Sequence, residues 1–294
     1  MNIAPLLDER MQLGESIVWD PAEQSLLWVD VGRRSWLYHF DTLRGNLRKT
    51  QYDGFVSGIA LSDQEDTFIL LTDTGLKLYQ PSLDAITHYL DVEADQPQNR
   101  CNDWGVDPQG RLWFGTMQNN LCDSNVPFGK RGSLYCLAEG ILHRKASQLG
   151  IPNTLVWSSD ATKFYLADSF ESTIYSYDFH DGAILNPQVF SKIEAAGVPD
   201  GSTLDAADRL WNCRWGDAAV FVFNPDKTLA TQIPVPALQV TSCTFGGPDM
   251  TTLYITTACH EMTPQQQAEY PLAGSVFKLE TSTRGTTRGR VKLA

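Results

Sequence analysis

Apolar residues in this chain come in short runs closed by Asp, Pro, Gly or Asn, and one six-residue phrase recurs among them. It reads Glu15-Ser-Ile-Val-Trp-Asp20 near the start and Asn153-Thr-Leu-Val-Trp-Ser158 in the middle. Looser versions are Ser57-Gly-Ile-Ala-Leu-Ser62, Asn102-Asp-Trp-Gly-Val-Asp107, Asp200-Gly-Ser-Thr-Leu-Asp205 and Thr241-Ser-Cys-Thr-Phe-Gly246. Each opens on a polar side chain, passes through an apolar stretch and closes on a turn former. The opening residues are spaced 42, 45, 51, 47 and 41 positions apart, a period that marks a structural repeat.

Further strand signals follow each phrase. Ser25-Leu-Leu-Trp-Val-Asp30 and Ser35-Trp-Leu-Tyr-His-Phe-Asp41 stand in the first unit, and Lys163-Phe-Tyr-Leu-Ala-Asp168 and Ser172-Thr-Ile-Tyr-Ser-Tyr-Asp178 in the fourth. A weaker, more polar run such as Leu47–Tyr52 or Ile86–Leu90 fits before the next phrase. Runs rich in β-branched and aromatic residues, separated by turn formers about ten residues apart, predict antiparallel β structure. Four strands in each unit of about 40–50 residues predict a blade, and six units predict an all-β, six-bladed β-propeller. No window keeps a helical period for three turns. Residues 1–280 are expected to form one propeller domain, and the basic, Thr- and Gly-rich tail 281–294 to be poorly ordered. Two irregular stretches, Gln118–Arg131 and Cys259–Ala273, are long enough for rim loops with a functional role.

Composition narrows the partners. The 294 residues are 42% hydrophobic and 20% charged, as in ordinary soluble domains. A net charge of −12 argues against nucleic acid, whose phosphates need a clustered basic face. No apolar run is long enough for a membrane span, and no signal peptide is visible, so a cytoplasmic protein is expected, monomeric or weakly homo-oligomeric. The six cysteines form no Cys-x-x-Cys pair and are expected to be buried free thiols. Cys101, next to Asn102, is the one that could approach a site.

In a propeller the innermost strand of each blade lines the central channel. The phrase therefore places Glu15, Ser57, Asn102, Asn153, Asp200 and Thr241 in a ring at one channel mouth. A ring of oxygen acceptors without a lysine admits two readings: a site for a hard divalent cation (Ca²⁺, Mg²⁺ or Mn²⁺, with Zn²⁺ at the border), or a hydrated polar lining. Trp104, inside its phrase, is a candidate for a pocket wall. The histidines fall on outer strands or turns, His260 in the last rim loop, and no nucleophile elbow, zinc motif, phosphate loop or dinucleotide fingerprint occurs.

These residues resemble the SMP-30/gluconolactonase/luciferin-regenerating-enzyme family, which includes regucalcin and bacterial sugar lactonases. Leu13-Gly-Glu-Ser-Ile-Val-Trp-Asp20 is similar to its opening Gly-Glu-Gly-Pro-x-Trp motif. Asn99-Arg-Cys-Asn-Asp103, Val106-Asp-Pro-Gln-Gly-Arg111 and Gly115-Thr-Met117 are similar to its Asn-Arg-x-Asn-Asp, Asp-Pro-x-Gly-Arg and Gly-Thr-Met segments. Ile151–Ser158 with Phe164–Ser169, and Pro199-Asp-Gly201, match two more. The resemblance implies a six-bladed propeller holding one divalent cation (Ca, Zn, Mn or Mg) through Glu15, Asn153 and Asp200. It further implies substrate contacts at Arg100 and Asn102, with Asp103 beside them, and hydrolysis of a sugar-acid lactone with Asp200 as general base. The rival expectations are a paraoxonase-like esterase of hydrophobic lactones and a non-catalytic cation-binding propeller. Three departures stand out: Ser16-Ile17 where the family has Gly-Pro, Thr154 where it has Gly, and Gln118-Asn-Asn120 where regucalcin-like members place an acid after Gly-Thr-Met.

Overall fold

The computed structural model describes residues 3–7, 9–122 and 127–293. Part of the Gln118–Arg131 stretch, residues 123–126, lies outside them. The described chain is almost entirely β, built of four-stranded antiparallel sheets in a propeller-like arrangement. Each phrase lies in the first strand of its sheet: Gly14–Asp20, Val56–Leu61, Asn99–Val106, Pro152–Trp157, Val198–Leu204 and Gln239–Gly246. Four sheets are separate, and an eight-stranded one combines two four-strand sets through a single residue pair, Trp215 with Gln239.

Burial explains the wording of these strands. Val56–Leu61 and Gln239–Gly246 are buried along their whole length, because neighbouring sheets pack on both of their faces. They read as continuous apolar or small residues instead of alternating. The outermost strands, such as Asn46–Tyr52 and Leu229–Pro234, are mostly exposed, and the first of these is mostly polar. Side chains between the sheets form the core, with Trp28, Trp113, Phe164, Phe245 and Phe277 fully buried.

One strand had no signal in the sequence. The set beginning at Gln239–Gly246 takes its outer strand from the opposite end of the chain, where Ile3–Leu7 pairs antiparallel with Val276–Glu280. Pro5 is tolerated there because an edge strand has a face with no ladder to donate to.

Two of the closing turn formers are hubs. Asp205 accepts hydrogen bonds from the backbone N–H groups of Ala207 (2.9 Å) and Arg209 (3.0 Å), from the Arg209 guanidinium (2.7 Å) and from the Trp211 indole (2.9 Å). Asp107 repeats the pattern with Gln109, Arg111 and Trp113. Asp20 has no arginine four residues on. Its guanidinium arrives from the far end of the chain, where Arg290 donates to its carboxylate at 2.5 Å.

The basic tail lies against the sheets. Thr286 donates its backbone N–H to Leu204, Val291 to Leu61 and Lys292 to Gly110, and Val291 is fully buried. The tail is thus stitched to two inner-strand ends and to the turn at Gly110, with its cations placed against backbone carbonyls and acids. Cys101, Cys136, Cys213, Cys243 and Cys259 are buried free thiols, and Cys122 is half-buried. No described helix is long and apolar enough to cross a membrane.

Candidate active site

Each phrase-bearing strand carries a one-residue bulge at the start of its phrase. The register against the next strand slips between Glu15 and Val18, Val56 and Gly58, Cys101 and Trp104, Asn153 and Val156, Pro199 and Ser202, and Val240 and Ser242. A bulge bends the strand and re-aims a side chain. Here the openers Glu15, Ser57, Asn102, Asn153 and Asp200 line one cavity of about 240 Å³. Thr241 is not among them; it is fully buried and donates to the Gly14 carbonyl at 2.5 Å.

The bulges explain two of the sequence departures. Ser16 and Thr154, the residues after Glu15 and Asn153, have φ of 60° and 59°, in the left-handed region that favours glycine. A β-branched residue there is strained by about 1–3 kcal/mol and persists only where its surroundings hold it. Thr154 Oγ1 donates to the Asp200 carbonyl at 2.6 Å, and Ser16 Oγ accepts from the Trp104 indole at 2.6 Å and from Ile59 N at 3.2 Å. The two side chains that replace glycine therefore tie neighbouring sheets together beneath the cavity.

A hydrogen-bond chain runs along the wall. Arg100 Nη1 donates to Asn102 Oδ1 (2.8 Å), Asn102 Nδ2 to Asn153 Oδ1 (3.1 Å), Asn153 Nδ2 to Ser169 Oγ (2.8 Å), and Ser169 Oγ to the Pro199 carbonyl (2.6 Å) beside Asp200. The chain fixes the Asn153 amide, with its nitrogen turned to Ser169 and one oxygen lone pair left over. Asp103 lines the same cavity while its two oxygens accept from Trp104 N and Thr154 N, each at 2.8 Å. Arg100 Nη2 reaches Asn120 Oδ1 at 3.3 Å, so the position that departs from the family pattern is part of the wall.

The electrostatics are those of a crowded acidic cluster. Burial, and behind it the charge of Asp103, pushes Glu15 up to about 8. Burial and then the charge of Glu15 push Asp200 well above the usual carboxylate range, and burial raises Asp103. Burial also lowers Arg100, to about 10. Among the described residues the arginines pair with other acids, Asp20, Asp107, Asp205 and Asp217, and none forms an ion pair with these three. Buried carboxylates that no cation pairs with directly fit a hard cation. No three His, Cys, Asp or Glu side chains among the described residues form a metal cage by themselves, so a cation in this cavity would take an amide oxygen such as that of Asn153 as third donor.

Other expectations are revised. Trp104 is fully buried beneath the cavity and does not form its wall. Cys101 is buried, with its thiol pushed up by desolvation, and does not line the cavity either. His260, expected on position to stand away from the site, lines the cavity, as do Glu261 and Trp215. Its signal was its place at the head of a long loop. Leu13, Val31, Met117, Ile151 and Val198 make the remaining wall apolar.

A protein-family model described as SMP-30/Gluconolactonase/LRE-like region matches residues 13–259, most of the chain. The chain belongs to this family. Within the SMP-30/gluconolactonase family it is 34% identical to YvrE of Bacillus subtilis (strain 168), named as a sugar lactone lactonase, over 95% of this chain and 94% of that protein. It is 32% identical to regucalcin of Gallus gallus, over 92% and 91%. The crystal structure of a calcium-binding protein, regucalcin, from Agrobacterium tumefaciens str. C58 superposes with a TM-score of 0.91 at 28% identity, over 98% of this chain and 97% of that one.

Proposed function

We propose that this SMP-30/gluconolactonase family member is a metal-dependent lactonase built as a six-bladed propeller, opening a sugar-acid lactone to its acid. The observation that carries the reading is the gathering of Glu15, Asn153 and Asp200 around one cavity whose wall also holds Arg100 and Asn102. A divalent cation (Ca²⁺, Zn²⁺, Mn²⁺ or Mg²⁺) held by those three oxygen donors would supply Lewis acidity. Asp200 is the general base: its carboxylate takes a proton from the water that adds to the lactone carbonyl carbon. It returns that proton to the ring oxygen as the carbon–oxygen bond opens, and the raised basicity of a buried carboxylate suits the task. Arg100 and Asn102 orient the sugar hydroxyls and face the developing oxyanion, and Asp103 accepts from a hydroxyl with the lone pairs its backbone bonds leave. We also place the protein in the cytoplasm, monomeric or weakly homo-oligomeric.

The test is a panel of aldonolactones, assayed by acid release after EDTA treatment and after adding back each of the four ions. Chelation is expected to reduce turnover at least roughly 100-fold, with one or more ions restoring it. Full activity in EDTA would overturn the metal role. The apolar side of the cavity favours a second reading, a paraoxonase-like esterase of hydrophobic lactones. An aryl ester or long-chain lactone turned over faster than any sugar lactone would establish it. Tight ion binding without hydrolysis of either class would leave a non-catalytic propeller.

A further inference from the structure

Thr241 leaves a gap in the ring of openers, because its hydroxyl turns back onto the Gly14 carbonyl. Its sheet reaches the cavity by another route. Gln239, two residues earlier, pairs with Ala258, and the chain just beyond Ala258 brings His260 to the cavity wall. The Gln239 side chain fastens it there, Nε2 donating to the His260 carbonyl at 2.8 Å, while Cys259 N–H donates to the Gln12 carbonyl at 3.1 Å. Nε2 of the imidazole is buried with no hydrogen-bond partner; Glu261 Oε1, on an exposed side chain, stands 3.5 Å from it without making one. An unpartnered buried nitrogen is costly unless something else uses it. Trp215 lines the same side of the cavity, half-buried, and its backbone pairs with both Val198 and Gln239. The turn that carries it is fixed by Arg214, which donates to Asp217 Oδ2 (2.9 Å) and to the Gly197 carbonyl (2.8 Å). These two rings stand across the cavity from Arg100 and Asn102. The sheet beginning at Gln239 packs against those beginning at Gly14 and Val198, whereas the sheet beginning at Asn99 packs against those beginning at Val56 and Pro152.

We propose that His260 and Trp215 form the subsite for the exocyclic end of the lactone, the substituent that projects from its ring, and that they select a hydroxylated end over an apolar or missing one. The inference rests on the lactonase reading above and deepens it. Trp215 offers an apolar face to the C–H groups of that end, and His260 Nε2 offers a hydrogen bond to its hydroxyl. An alkyl end would leave Nε2 buried and still unpaired, so the pair discriminates against it.

The experiment measures kcat and KM on D-glucono-1,5-lactone and on D-xylono-1,5-lactone, which share a ring and differ in one exocyclic hydroxymethyl group. Wild type is compared with H260L, H260Q, W215F and W215L. In H260L the ratio of kcat/KM for the first lactone over the second is expected to fall at least roughly tenfold, chiefly through KM, because the lost hydrogen bond holds ground state and transition state alike. H260Q, whose amide can stand near the place of Nε2, should recover part of the ratio, and W215F should keep more of it than W215L. A wild-type enzyme that handles the two lactones alike, or a ratio that H260L leaves within about twofold, overturns the inference alone, since lactone hydrolysis then stands. Wild type that hydrolyses no aldonolactone with any of the four ions overturns the lactonase reading itself, and this inference with it.

Discussion

Asp200→Asn is expected to lower lactone hydrolysis by roughly 10³-fold or more in kcat while making the ion-free protein more resistant to urea. The two signs come from different atoms of one residue. Its backbone carbonyl is held by Thr154 Oγ1 at 2.6 Å and by Asn212 Nδ2 at 3.0 Å, and the amide variant leaves both bonds in place. Its carboxylate has no ion-pair partner among the described residues and stands in a buried cluster with Glu15 and Asp103, whose charges oppose its own. Removing one buried charge relieves that repulsion, by about 1 kcal/mol or more. Initial rates and a urea titration in EDTA on the same preparation check both halves. An Asn variant that lost stability would mean that the carboxylate holds the fold together, and one that kept wild-type turnover would remove Asp200 from the chemistry.

Asp205→Ala and Asp107→Ala are expected to destabilise the fold by about 2–4 kcal/mol each, because each leaves several buried donors, two backbone N–H groups and a tryptophan indole among them, without their acceptor. Asp205 serves two backbone N–H groups, Arg209 and Trp211, and its side chain is fully buried. Asp107 serves the equivalent set. Neither lines the acidic cavity. The folded fraction should therefore retain wild-type KM at low temperature, and denaturant midpoints should move while the slope does not. A shift under 1 kcal/mol in either variant would reduce these hubs to ordinary turns.

The sequence shows the repeat because the inner strands are buried on both faces and must be written in small and apolar residues, with a polar opener that has somewhere wet to point. That is why Glu15, Asn102, Asn153 and Asp200 are readable from spacing, whereas Thr241 fits the spacing but not the cavity: its phrase opens on a hydroxyl short enough to turn back onto Gly14. The bulges were hidden, since one extra residue in each strand leaves the period unchanged. Their only trace was the oddity of Ser16 and Thr154 where glycine is usual, and what the two hydroxyls do depends on neighbours far away in sequence. His260 and Asn120 enter the cavity from irregular segments that carry no period. The contacts of Ile3–Leu7 and of the tail carry no local signal for one reason: their partners, Val276–Glu280 for the first and Leu61, Gly110 and Leu204 for the second, lie too far along the chain for a local pattern to announce them.

The pairing of Ile3–Leu7 with Val276–Glu280 has a kinetic consequence. A nascent chain cannot complete its last sheet until nearly all of it has left the ribosome, and the tail segment that reaches Leu61 and Asp20 is made later still. Contacts of such sequence separation close slowly because the loop entropy must be overcome first. During that interval the free edges of Thr252–Ala258 and Val276–Glu280 are open to pairing with another chain, so synthesis rate and temperature, more than final stability, should govern how much soluble protein a cell recovers.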